Sequence, residues 1–360
     1  MKKERIYGLD LARAVCAILI VIYHYIKQIG TMPYWAASPI HPEFPNGDWG
    51  NVTVVSIFFM ISGITLLYNY PRLGWGNLRY FWYKRWKSVM PAYLLVWAWV
   101  YVPRALSAHT PFYETEPKYM LLTFIGMDGY LHGYHDNYYI VGEWFLGAIL
   151  ILYMLYPLLL FLYRKCYLIA SLVICLAYFI NLSFKFFPIM TANVNMITCV
   201  FDFWLGMTYL RFRGGEKKRR LFGLIAIPVM FFAFFFRVPE QYGIAMMTLA
   251  GFCGLMIMEM LGDILMKKQW IAAPVNAIGA ISFEIYLVHH VMMADFAKPY
   301  VFILPGSTFS VWQEFKLFLI IFVAVLITAK AFQLLIHAFF STKLVLWIDN
   351  KMKGKQSNVF

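Results

Sequence analysis

Apolar runs of bilayer length alternate with short polar connections along almost the whole chain. A helix needs roughly 20 mostly apolar residues to cross the hydrocarbon of a membrane. Ten segments qualify, near residues 11–29, 52–70, 88–104, 141–162, 167–183, 195–210, 221–236, 242–262, 277–297 and 315–340. The pattern predicts an all-α, polytopic membrane protein of about ten transmembrane helices. The last segment is long enough to tilt or to run into the interface, and no internal repeat emerges.

Basic residues set the expected orientation, because cytoplasmic connections accumulate Lys and Arg. With the N-terminus inside, the inner connections hold 22 of the 31 basic residues. An even number of spans returns the C-terminus to the cytoplasm. Lys2, Lys3 and Arg5 ahead of an apolar run imitate a secretory signal, but Asp10 and Arg13 interrupt that run and Ile22-Tyr23-His24-Tyr25 offers no small-residue cleavage site. The segment reads as a retained first span. Residues 1–345 are expected to form one transmembrane domain and 346–360 a short basic cytoplasmic tail.

Composition sharpens this picture. With 62% hydrophobic, 19% aromatic and only 14% charged residues, the chain is too apolar for a water-soluble domain of its length. The net charge of +13 does not call for nucleic acid, since the basic residues are spread over several loops as topology requires. Cys16, Cys166, Cys175, Cys199 and Cys253 lie in or beside apolar segments without metal-like spacing, which assigns them to packing. No metal site is expected. The longest outer connection, about 105–140, mixes tyrosines with His109, Glu114, Glu116, Asp128, His132, His135 and Asp136, a mixture suited to sugar contact or to an interfacial belt.

Ionisable residues inside spans are expensive, about 2.5–3.5 kcal/mol each at the helix centre on insertion scales, and mark candidate functional sites. The first span holds three. Asp10 and Arg13 are spaced to pair on a helix. Arg13 and His24 are eleven residues apart, close to three whole turns, so they share one face with a rise of roughly 16 Å between them. A single helix can then touch both a cytoplasmic donor and an outward-facing acceptor, although Asp10 and Arg13 equally suit an interface anchor. The ninth span carries Glu284, Tyr286, His289 and His290; running in the same direction as the first, it places His289 at a depth similar to His24. At the start of the fourth span stand Glu143 and Trp144, followed by Tyr153 and Pro157, and Ser62-Gly63 interrupts the bulky second span.

These residues resemble the acyltransferase family 3, membrane-bound O-acyltransferases of bacterial surface glycans. Gly8-Leu9-Asp10-Leu11-Ala12-Arg13-Ala14 through Tyr23-His24 is similar to the family's opening motif, and Phe58-Phe59-Met60-Ile61-Ser62-Gly63 to its second-span motif. Lys84-Arg85-Trp86-Lys87-Ser88-Val89-Met90-Pro91 resembles its basic cytoplasmic stretch, with Ser88 where a second arginine often stands. Trp144-Phe145-Leu146 with Tyr153 and Pro157 resembles the fourth-span signature, although Ile149 occupies a position that is glutamate in many members. Ile285-Tyr286-Leu287-Val288-His289 resembles the late Tyr-Leu-x-His motif.

The resemblance implies a multi-pass enzyme of the bacterial cytoplasmic (inner) membrane that transfers an acyl group, most often acetyl from acetyl-CoA, to a hydroxyl of a lipid-linked or cell-surface saccharide in the cell envelope. On this reading His24, Arg13 and Asp10 carry the chemistry, His24 as general base. Arg85, Lys84 and Lys87 hold the anionic donor, and Glu143, Trp144, Tyr286, His289, Ser62 and Gly63 support the acceptor or the base. Two competing readings remain at this point: a transporter or flippase whose buried charges line a pathway, and a non-catalytic subunit of a polysaccharide assembly system. The transporter reading would call for paired, interrupted helices in corresponding halves, and the sequence shows no such duplication; loss of glycan synthesis itself on deletion would favour the subunit.

Overall fold

A computed structural model describes residues 5–30, 44–113, 115–184, 187, 189–303 and 310–354. The only regular structure among them is helical, as expected where backbone polar groups in hydrocarbon must be satisfied within their own segment. In chain order the helices are α1 (Tyr7–Gly30), α2 (Val55–Asn69), α3 (Leu78–Ser107), α4 (Met120–Phe124), α5 (Asp128–Leu131), α6 (Glu143–Lys165), α7 (Tyr167–Ser183), α8 (Met196–Phe212), α9 (Glu216–Phe235), α10 (Gly243–Leu265), α11 (Gln269–Ala280), α12 (Ser282–Ile303), α13 (Val311–Phe340) and α14 (Lys343–Gly354). A π-helical turn, Trp49–Val54, leads directly into α2.

Each of the ten apolar segments falls in helix, and the ninth differs from expectation in being broken. Ile281 separates α11 from α12, and the two meet at 65°. Six helices are long and apolar enough to cross a bilayer, or seven if the bent pair counts as one span. The shortfall from ten has causes in length and in charge. The apolar α7 has 17 residues, α8 has 17 with Asp202 and Arg211 inside it, and α9 opens on Glu216-Lys217-Lys218-Arg219-Arg220.

Close backbone contact, rather than bulk, fixes the α2–α8 seam. A Cβ added to Gly63 would overlap the carbonyl oxygen of Phe203, and one added to Gly206 would overlap that of Met60. Small residues at such crossings let helices pack where hydrocarbon offers no hydrophobic drive between them. Gly8 and Gly262 play the same part between α1 and α10. The end of α8, the start of α9 and the end of α10 are joined by ions: Arg213 Nε lies 2.8 Å from Glu259 and Arg219 Nε 2.7 Å from Asp263. On the perimeter, α7, α9 and α13 turn Leu168, Leu172, Phe231, Phe235, Ile327 and Leu334 outward, the side chains a lipid tail would touch.

The connection between α3 and α6 is a packed cap and not a solvated coil. Trp97 Nε1 donates to Tyr138 O at 3.1 Å and Asn137 Nδ2 to Asp128 O at 3.0 Å. Asp128, almost fully buried, accepts from Thr123 Oγ1 at 2.7 Å and Tyr93 OH at 3.2 Å. Burial pushes its carboxyl up to about 6. Of the polar residues singled out there, Glu114 lies outside the described residues. Residues 355–360 of the basic tail do as well, but its first part lies in α14, held to α3 by Lys87 Nζ to Asp349 Oδ2 at 2.5 Å and Tyr83 OH to Asp349 Oδ1 at 2.7 Å.

Candidate active site

One cavity of about 220 Å³ runs between α1, α2, α3, α6 and α12. At one end it meets Arg13, Thr65, Arg85 and Tyr153; at the other His24, Glu143, Trp144 and Tyr286, with Ser62 on the wall between. The face shared by Arg13 and His24 is therefore the one turned to the cavity, and Ile20 lines it between them.

At the arginine end, charge is only partly neutralised. Arg13 Nη2 donates to Thr65 Oγ1 at 3.0 Å, while its Nη1 stands 3.6 Å from Asp10. Asp10 is claimed at shorter range by Arg5, whose Nε reaches it at 2.6 Å and whose Nη2 bonds Asn276 at 2.8 Å. Asp10 thus sits in a clasp between the start of α1 and α11, behind Arg13 and off the cavity wall. Arg85 lies over the rings of Tyr70 and Tyr153, 5.4 and 5.9 Å from their centroids. Its buried Nε has no hydrogen-bond partner. A guanidinium with a spare N–H at a cavity end suits an anionic ligand, since its planar fork matches phosphate oxygens.

The two lysines beside it are placed differently from expectation. Lys87 is engaged by Asp349 and Lys84 lies over the Tyr80 ring at 5.2 Å; neither lines the cavity. Helical spacing explains the difference, because neighbours one and two positions from Arg85 point about 100° and 200° away from it. Ser88 turns its hydroxyl back onto Arg85 O at 2.7 Å.

At the other end, imidazoles from two helices meet. The His24 ring centroid is 4.1 Å from that of His290 and 5.0 Å from that of His289. Nε2 of His290 stands 3.0 Å from Oε1 of Glu143, in ion-pair range but out of line for a hydrogen bond. Tyr139 OH donates to the same carboxylate oxygen at 2.7 Å, and burial beside that charge pushes the Tyr139 hydroxyl's ionisation well upward.

Glu143 reaches this point through an unusual backbone. Gly142 has φ +90° and Glu143 itself φ +27°, a region that side-chain-bearing residues enter only when their surroundings enforce it. Tyr286 supplies that enforcement: its hydroxyl donates to Gly142 O at 2.5 Å and accepts from Leu146 N–H at 3.1 Å. Tyr286 and Glu143 are thus parts of one clamp. Trp144 Nε1 approaches Asn51 Oδ1 at 3.4 Å, so this indole closes the cavity wall instead of standing at a lipid interface. Gly63 serves the α2–α8 seam, one residue from Ser62.

Tyr139, Asn51 and Thr65 complete the lining or its supports without having been singled out, and His290, named in the ninth span without an assigned role, joins them. Thr65 carried a signal, lying three residues after Ser62 on the same helical face. Tyr139 carried none, because its approach to Glu143 depends on the left-handed turn.

Compared with known protein families, the model of the acyltransferase 3 family, an acyltransferase domain, matches residues 6–332. No curated protein and no solved structure matches the chain.

Proposed function

We propose that this chain, which belongs to the acyltransferase 3 family, is a membrane O-acyltransferase that moves acetyl from acetyl-CoA to a hydroxyl of a lipid-linked or surface saccharide. The observation that carries this reading is the single cavity joining Arg13 and Arg85 to His24 and Glu143. A thioester donor bears its anionic nucleotide and pyrophosphate at one extremity and its reactive carbonyl at the other, and the cavity has the same polarity. Arginines at one end suit phosphate; an imidazole at the other suits proton transfer.

The chemistry follows from the groups present. A hydroxyl is a weak nucleophile at neutral pH and needs a base as it attacks. His24 takes the hydroxyl proton while the oxygen bonds to the thioester carbonyl carbon. The C–S bond then breaks, the acyl group stays on the acceptor oxygen, and the departing thiolate recovers the proton. Holding both reactants in one cavity replaces a bimolecular encounter with a positioned one. Tyr286 fixes the Glu143 turn, and Glu143 and Tyr139 brace the histidine pair from the outer side. Asp10, off the cavity wall, anchors the helix start that carries Arg13.

On this reading the termini and the arginine end face the cytoplasm of a bacterial inner membrane, and the aromatic cap over residues 105–140 faces the acceptor. The transporter reading is not carried further, because membership of an acyltransferase family supplies the buried polar groups with a reaction.

The test follows label from radiolabelled acetyl-CoA into glycan in inverted vesicles bearing wild-type protein or His24→Ala at matched membrane levels. A general base contributes about 10²–10⁴-fold, so label should appear with wild type and fall by that factor in the variant. Equal labelling by both would refute His24 as base, and no label with wild type would refute acetyl-CoA as donor.

A further inference from the structure

The histidine end of the cavity holds more nitrogen than one proton transfer requires. His24, His289 and His290 each offer a ligand atom, and these atoms lie within 4.8 Å of one another. His289 is completely buried. Its Nδ1 is 2.7 Å from Tyr286 O and 3.2 Å from Ile285 O. A carbonyl only accepts, so Nδ1 carries the proton and Nε2 is left as a bare lone pair. That Nε2 has no hydrogen-bond partner, while Nε2 of His290 faces the Glu143 carboxylate oxygen at 3.0 Å. A buried acceptor without a partner is costly and calls for an explanation.

We propose that His24, His289 and His290, with Glu143 as an oxygen ligand, form a binding site for a divalent first-row transition-metal ion, Zn2+ being the best match. The inference rests on this geometry and not on the acyl-transfer reading. Three imidazoles and one carboxylate form a borderline-soft donor set that suits Zn2+ and its neighbours and not Mg2+ or Ca2+, which take oxygen. The backbone carbonyl bond on His289 Nδ1 is the outer contact that fixes tautomer and ring orientation in metal-ligating histidines. Glu143 Oε1 lies 3.0 Å from His290 Nε2 and accepts from Tyr139 OH at 2.7 Å, which holds this carboxylate oxygen beside the imidazoles.

Zn–N bonds of about 2.0–2.1 Å place tetrahedral ligand atoms about 3.3 Å apart, so the cluster must contract by about 1.5 Å at its widest. His24 is on a different helix from the other two and borders the cavity, which gives its ring room to rotate inward. Neutral imidazoles bind through lone pairs without releasing protons. An occupied His24 lone pair cannot also accept a proton, so bound metal opposes any base chemistry at that residue.

The measurement uses the full chain in lipid nanodiscs, stripped with chelator and re-equilibrated with Zn2+ alone. Calorimetry and elemental analysis should give about one Zn2+ per chain, and X-ray absorption should report imidazole nitrogen near 2.0–2.1 Å. His290→Ala should weaken binding by about ten-fold or more, and Glu143→Gln should weaken it as well; a melting profile checks that each variant is folded. No bound Zn2+ in wild type, or binding unchanged in both variants, overturns the proposal. If Zn2+ fails to bind while acetyl transfer depends on His24, the metal site falls and the acyltransferase reading stands.

Discussion

Removing one oxygen from Tyr286 should uncouple Glu143 from the site. Tyr286→Phe deletes the bond to Gly142 O and the acceptor for Leu146 N–H, while the ring keeps its edge contact with Phe145 at 5.4 Å. Gly142 O and Leu146 N–H are four residues apart at the start of α6, and the hydroxyl bridges them. Losing two hydrogen bonds of about 1 kcal/mol each removes about 2 kcal/mol of support from the strained Gly142–Glu143 turn. Fully expressed in the placement of Glu143, about 2 kcal/mol is about thirty-fold at ten-fold per 1.36 kcal/mol; water entering the gap recovers part of it. We expect acetyl transfer to fall by about ten- to thirty-fold in membranes with wild-type protein levels. Tyr286 acts through Glu143, so Tyr286→Phe and Glu143→Gln should combine less than additively, with a coupling above about 0.5 kcal/mol. Activity within two-fold of wild type, or strict additivity, would refute the clamp.

Three further outcomes are expected. Arg85→Ala should raise KM for the acyl-CoA far more than it lowers kcat, and Arg85→Lys should recover only part of the loss, because an ammonium cannot replace a planar fork; donor-titration kinetics on vesicles read this out. Gly206→Leu should prevent α2 and α8 from meeting, since even its Cβ overlaps Met60 O, and gel filtration in detergent should show loss of the monodisperse species. Asp128, its carboxyl raised from 3.8 to about 6, disfavours ionisation in the fold. Stability should therefore be fullest below pH about 4 and decline as pH rises to about 6, by at most about 3 kcal/mol; Asp128→Asn should flatten that decline in thermal melts.

The candidate site was legible where it depends on a single helix. An eleven-residue spacing put Arg13 and His24 on one face, and that face borders the cavity. Ser62-Gly63 announced a close helix approach, and Gly63 makes it against Phe203. What periodicity could not reveal was structure created by contact at a distance. Lys87 is claimed by Asp349, 262 residues away. The left-handed turn at Gly142–Glu143 exists because Tyr286, on another helix, holds it. The ninth apolar run looked continuous, and its break at Ile281 cannot be told from hydropathy because Gly279-Ala280-Ile281 is as apolar as a span interior. His290 gained meaning only when α12 set it beside His24 and Glu143.

The brevity of α7 and α8 bears on the membrane itself. Seventeen residues each cover about 25 Å at 1.5 Å per residue, against a hydrocarbon thickness of about 30 Å. α7 presents Leu168, Ile169 and Leu172 outward, so a bilayer that α7 and α8 cross has to thin by about 5 Å on this flank. On the acyl-transfer reading, the two faces between which the acyl group is handed would lie that much closer together here.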